Sequence, residues 1–155
     1  MTALPFVDEH WLRVRAGEDE TWPAVVGYAT ALSRTGHRVL SRLLGTVPES
    51  GFTIVETRPH RELTLAGRHR FATYRLVFRV APDGPGARVT ADTFARFPGL
   101  RGQVYRVLLL RTHAHQVATQ RMLREIRRRA EVCTSEPMIA RDPGDRAGTC
   151  DRAGT

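Results

Sequence analysis

The sequence predicts an α+β fold: an antiparallel sheet crossed by one long C-terminal helix, with two short helices after the first strand. Three observations carry this. Residues 51–99 hold several period-two segments joined by short Gly/Pro connections. Leu100 to Glu131 contains no proline, one glycine, and apolar residues at helical spacing. A lone alternating segment followed by helical spacing precedes both. Strand, helices, strands, closing helix is an α+β order and not an alternating βαβ one.

The elements follow in order. In Phe6–Arg15, Leu12 and Val14 alternate with Arg13 and Arg15 as on a half-buried strand. Gly17 ends it, and Glu18, Asp19 and Glu20 suit the positive end of a helix dipole, with Pro23 tolerated in the first turn. Trp22, Val25, Val26 and Ala29 place a helix at about 19–32, and Val39, Leu40, Leu43 and Leu44 a second at about 36–44. Strands follow at 52–57 and 61–66, then a turn at Gly67-Arg68. The longest strand covers 69–80, with Ala72, Tyr74, Leu76, Phe78 and Val80 on one face. Pro82-Asp83-Gly84-Pro85-Gly86 makes a hairpin to a strand at 88–94. The last four strands, with such short links, form an antiparallel meander, and the first segment brings the strand count to five. Across 100–131 the stripe Val104, Leu108, Arg111, His115, Ala118, Met122, Ile126, widened by Val107, Leu110, Ala114 and Val117, predicts one continuous helix. It would be about 45 Å long and cross the whole sheet, its Arg-rich last turns overhanging into solvent.

Composition sets the class. The chain has 155 residues, sized for one domain over 1–131; residues 132–155, rich in Gly, Pro and charge with Asp-Arg-Ala-Gly-Thr occurring twice, read as a disordered tail. Every one of the 24 basic residues is Arg, against 16 acids, for a net charge of +8. The excess is local: residues 100–131 carry eight Arg and two acids. No apolar run spans a bilayer and no signal pattern opens the chain, so the expected location is cytoplasmic. Cys133 and Cys150 both fall near the end, without zinc spacing, so neither a metal nor a cofactor is expected.

The opening VRAGEDETWPAV (14–26), the runs GFTIVETRPHRELTLAG (51–67) and YRLVFRVAPDGPGARVTADTFARF (74–97), and the closing helix resemble the SRPBCC superfamily. These START-like, polyketide cyclase/dehydrase-like proteins have the helix-grip fold. The resemblance covers about residues 5–131 and includes no catalytic signature. It implies a sheet curled around the long helix, with a pocket between them for a small hydrophobic or amphipathic ligand. The superfamily usually has seven strands. Five are found here, so strands between the second helix and Gly51 are missing or very short.

Strand parity and the helix stripe name the polar candidates for such a pocket: Arg70 and Tyr74 on the long strand, Arg111 and His115 on the helix. A cation or imidazole on a buried stripe needs a partner or water. Arg70 also fits a rim or ion-pair role, Tyr74 a core position with its hydroxyl bonded, and His115 a satisfied polar-pocket residue. His69 with Arg68 and Arg70 reads as a charged turn, and His113 as solvated. Three functions stay open. One is ligand binding. The second is a cyclase/dehydrase-like enzyme in which His115 or Tyr74 moves a proton. The third is a module that binds an acidic partner through the Arg-rich helix end. The absence of interleaved aromatics speaks against nucleic acid.

Overall fold

The computed structural model describes residues 4–34, 47, 51–111 and 113–135. Strand β1 (Phe6–Val14) leads into helix α1 (Glu18–Arg34), then β2 (Thr53–Arg58), β3 (Glu62–His69), β4 (Ala72–Asp83) and β5 (Gly86–Arg96). Helices α2 (Gly99–Arg111) and α3 (Ala114–Ser135) close the order. The five strands form one antiparallel sheet, β1-β5-β4-β3-β2. The expected helix at 36–44, and the tail beyond Ser135, lie outside the described residues. Between α1 and β2, Val47 makes an isolated bridge with Arg68.

Register explains the core. Val14, Leu12 and His10 of β1 stand opposite Ala87, Val89 and Ala91 of β5. Val80, Phe78, Leu76 and Tyr74 of β4 stand opposite Val89, Ala91, Thr93 and Ala95. Leu63 and Leu65 of β3 pair with Phe78 and Leu76. With period-two alternation, these side chains share one face, the concave one. Trp22, Val25 and Ala29 of α1 and Leu123, Ile126 and Ala130 of α3 belong to the same buried cluster. The α1 start is held by Thr21, whose hydroxyl donates to the Ala16 carbonyl at 3.3 Å. Pro23 falls inside the helix, past its first turn.

Two local expectations are corrected. Gly67 is no turn residue: β3 runs on to His69, and Gly67 pairs with Tyr74. A side chain there would overlap the Gly51 carbonyl oxygen and come within 2.7 Å of the Tyr74 ring. The glycine serves close approach, not reversal. The reversal is at Arg70-Phe71, where His69 Nδ1 accepts from the Phe71 N–H at 3.1 Å. Burial lowers the His69 pKa, consistent with a neutral acceptor.

The long helix is broken. His113 has φ of 52°, its carbonyl accepts from Val117 N–H at 3.0 Å, and its Nδ1 lies 3.0 Å from Gln116 Oε1. His113, with its left-handed backbone, thus precedes a second helix instead of continuing the first. The break also shifts the apolar phase. Among the described side chains of α3, Thr119, Leu123, Ile126 and Ala130 are buried, while Ala118 is exposed and Met122 half-buried. Val104 and Val107, expected inside, are 70% and 52% exposed. Leu123→Ala is expected to cost about 2–5 kcal/mol in urea unfolding, and Val104→Ala to stay within about 0.5 kcal/mol. Equal losses at the two sites would restore the continuous helix.

Candidate functional site

The concave face has two unlike halves. Toward the C-terminal end of α3 it is filled: Leu63, Leu65, Phe78, Val89, Leu123, Ile126 and Ala130 are buried to within 1%. Toward β1's start and β5's end the floor turns polar. Asp8 and His10 occupy successive inward positions of β1, opposite Thr93 and Ala91. His10 Nε2 lies 3.1 Å from Asp8 Oδ2, with the side chains 16% and 20% exposed. From above, Gln120 Nε2 on α3 reaches 3.5 Å from His10 Nδ1. Thr93 and Thr119 are buried. The Asp8–His10 pair therefore sits between sheet and helix, an imidazole held by a carboxylate.

The sequence passed over this pair because alternation was followed only through Leu12 and Val14. Carried two steps back, the same parity lands on His10 and Asp8. A bulge between Phe6 and Asp8 then turns Phe6 to the other side, against Phe94 at 5.7 Å between centroids.

Of the four residues named from sequence, Tyr74 and Arg70 have described side chains, and these two lie apart. Tyr74 is half-buried on the concave face; its hydroxyl donates to the Gly51 carbonyl, and its ring packs edge-on against Phe52 at 5.1 Å. The hydroxyl thus ties the start of β2 to the sheet. Arg70 is exposed in the β3–β4 turn and is no inward strand residue, because β4 starts only at Ala72. Arg111 ends α2 and His115 lies in the first turn of α3; they flank the helix break, and their side chains lie outside the described part.

A groove of about 230 Å³ opens at this end of the sheet, lined by Phe6, Val7, Ala95, Phe97, Arg96 and Arg106 among others. A shallower depression along α3 holds Tyr28, Met122 and Glu125. There the Arg-rich helix end is partly neutralised: Glu125 accepts from Arg128 at 2.8 Å and Arg129 at 2.9 Å. These bonds, Arg128's foremost, lower the Glu125 carboxyl from 4.5 to about 2. Arg129 also lies over the Tyr28 ring at 5.5 Å.

No protein-family model matches the chain, and no curated protein does. Solved structures do match. A conserved protein from Geobacillus kaustophilus superposes with a TM-score of 0.54 at 8% identity, covering 80% of this chain and 94% of that one. A truncated norcoclaurine synthase from Thalictrum flavum gives 0.51 at 10% identity, covering 87% and 99%. A protein from Thermus thermophilus gives 0.50 at 11%, covering 84% and 100%. The chain has the helix-grip fold, the fold of the SRPBCC superfamily its sequence resembles. At such identities the likeness establishes the fold alone.

Two outcomes test these contacts. Tyr74→Phe removes the bond to Gly51 and is expected to cost about 1 kcal/mol in urea unfolding. An unchanged midpoint would mean that the hydroxyl ties nothing. Glu125, lowered when folded, stabilises fully above pH 4.5 and loses that contribution as pH falls toward 2. Wild type should therefore exceed Glu125→Gln in melting temperature at pH 6, by under about 1 kcal/mol in stability, with the gap closing by pH 2. A gap independent of pH would refute the pairing.

Proposed function

We propose that the protein binds a hydrophobic or amphipathic small molecule between the sheet and its C-terminal helices, at the end of the concave face where α2 meets α3. One observation carries the reading: the core closes completely under the second half of α3, whereas the other half of the same floor bears the partly exposed Asp8–His10 pair. Small-molecule sites have this character, apolar walls with a few oriented polar groups. Leu76 and Ala95 supply apolar floor. Tyr74, Arg111 and His115 are assigned as polar contacts, with Arg70 at the rim, and Asp8 and His10 join them. A ligand with an apolar body and one hydrogen-bonding or anionic end fits this set.

A second reading, a cyclase/dehydrase-like enzyme using the same place, is favoured by the Asp8–His10 distance. A carboxylate that orients an imidazole prepares it to take or give a proton. Binding through the Arg-rich end of α3 has less support, because Arg128 and Arg129 are engaged by Glu125.

Isothermal titration with dodecanoate, an amphipathic probe, tests the reading. Saturable binding is expected, weakened about fivefold or more by His10→Ala and by Tyr74→Ala, a loss near the strength of one hydrogen bond. Absence of binding up to millimolar probe, or wild-type affinity in both variants, would overturn it.

A further inference from the structure

Strand β1 is an edge of the sheet, and among the described residues no strand lies beyond it. Two backbone bonds decide which of its groups face that edge. Val80 N–H donates to the Arg61 carbonyl at 3.0 Å, and Ala95 N–H to the Pro5 carbonyl at 2.9 Å. Bonded and non-bonded pairs alternate along an antiparallel ladder. Counted through the registers of β3, β4 and β5, both bonds assign the backbone groups of Asp8, His10, Leu12 and Val14 to β5. The N–H and C=O groups of Glu9, Trp11 and Arg13 then point the other way, into the open edge. Their side chains alternate with Asp8, His10 and Leu12 and so share the convex face. Trp11 is 50% exposed there, with the Arg88 guanidinium 4.5 Å from its ring centre.

The edge is neither blunted nor balanced. Natural edge strands are protected by bulges or prolines. The opposite edge, β2, has a bulge between Ile54 and Glu56, whereas β1 is regular from Asp8 to Val14 and contains no proline. Its charges stand like against like: Glu9 is opposite Asp92, and Arg13 is opposite Arg88. Arg13 and Arg88 share the carboxylate of Asp83, which leaves that cluster positive.

We propose that two copies of this chain join β1 to β1 as antiparallel strands of one continuous sheet, across a two-fold axis at Trp11. In that register Glu9 of each copy stands opposite Arg13 of the other, and Trp11 opposite Trp11. Every outward N–H and C=O of these residues is then bonded. Opposite charges across a strand pair are favourable, and centring the axis on Glu9 or on Arg13 would set like charges face to face. Pairing Glu9 with Arg15 would need the Arg15 N–H, which already donates to Glu131 at 3.1 Å. The complement of Glu9-Trp11-Arg13, read antiparallel, is the same segment, and this points to a second copy over an unrelated peptide. Such a contact closes on itself, so it gives a dimer and not a filament. It is short, and it works against repulsion between copies of net charge +8, so the dimer is a weak one. The proposal rests on the outward residues of β1 and is independent of the ligand reading above.

Sedimentation equilibrium of the full chain tests it, over about 5–200 µM, a range suited to small contacts. A monomer–dimer equilibrium is expected for the wild type. Glu9→Arg, at an exposed position, is expected to weaken it about tenfold or more, because Arg then meets Arg at both ends of the contact. The exchanged pair Glu9→Arg/Arg13→Glu is expected to return to within about threefold of the wild type. Circular dichroism checks that both variants are folded. A monomer throughout the range overturns the proposal, as does a dimer that Glu9→Arg leaves unchanged. Loss in Glu9→Arg without recovery in the folded exchanged pair overturns the pairing centred on Trp11.

Discussion

Seating α3 on the sheet is the constraint from which the remaining features follow. Thr119, Leu123, Ile126 and Ala130 recur at four-, three- and four-residue steps and are fully buried, so one stripe of the helix is committed to β1, α1 and the concave face. Each buried Leu or Ile contributes about 1.5–3 kcal/mol relative to exposure. At the far end, Glu131 accepts from the Arg15 N–H at 3.1 Å, fixing the helix against the end of β1. Once this half is closed, no freedom remains in how α3 lies. The residues that precede it must either continue the line or leave it, and at His113 they leave.

The polar groups of the concave face lie along its β1 edge. The inward rows across the sheet are Leu12–Val89–Val80, His10–Ala91–Phe78–Leu63 and Asp8–Thr93–Leu76–Leu65, so the polar pair stands at the β1 edge of rows that run into the core. A polar pair on an inward parity is costly unless satisfied; here the two groups satisfy each other and Gln120 reaches them from α3. Beyond them, the hydroxyl of Tyr74 spans to the Gly51 carbonyl over Gly67, joining β2 to the same end of the sheet. Polar groups therefore join the elements at this end of the face, where the core joins them at the other.

Much of this was legible in the sequence. Class, strand count, the Gly84–Pro85 hairpin and the inward face of β4 follow from period and turn chemistry, because binary pattern and local sterics decide them. Three things were not, each for a physical reason. Gly67 looks like a turn residue, yet only tertiary contact, the Tyr74 ring and the Gly51 carbonyl, explains a glycine inside a strand. The break at His113 involves neither Gly nor Pro, so no local breaker announces it. The helix phase then slipped by one position, because Val104 and Val107 were counted as core when they face outward. The place of Tyr74 on the concave face follows from parity, and the Asp8–His10 pair was reachable by the same rule applied two residues further.

The most direct test of the central claim, that the polar half of the concave face receives a ligand, is a ¹⁵N–¹H correlation spectrum followed through a dodecanoate titration. The account predicts saturable shifts centred on Asp8, His10, Thr93, Tyr74, Thr119 and Gln120, with Leu63, Phe78 and Ile126 moving little. Shifts confined to α2, or an unperturbed spectrum at saturating probe, would contradict it.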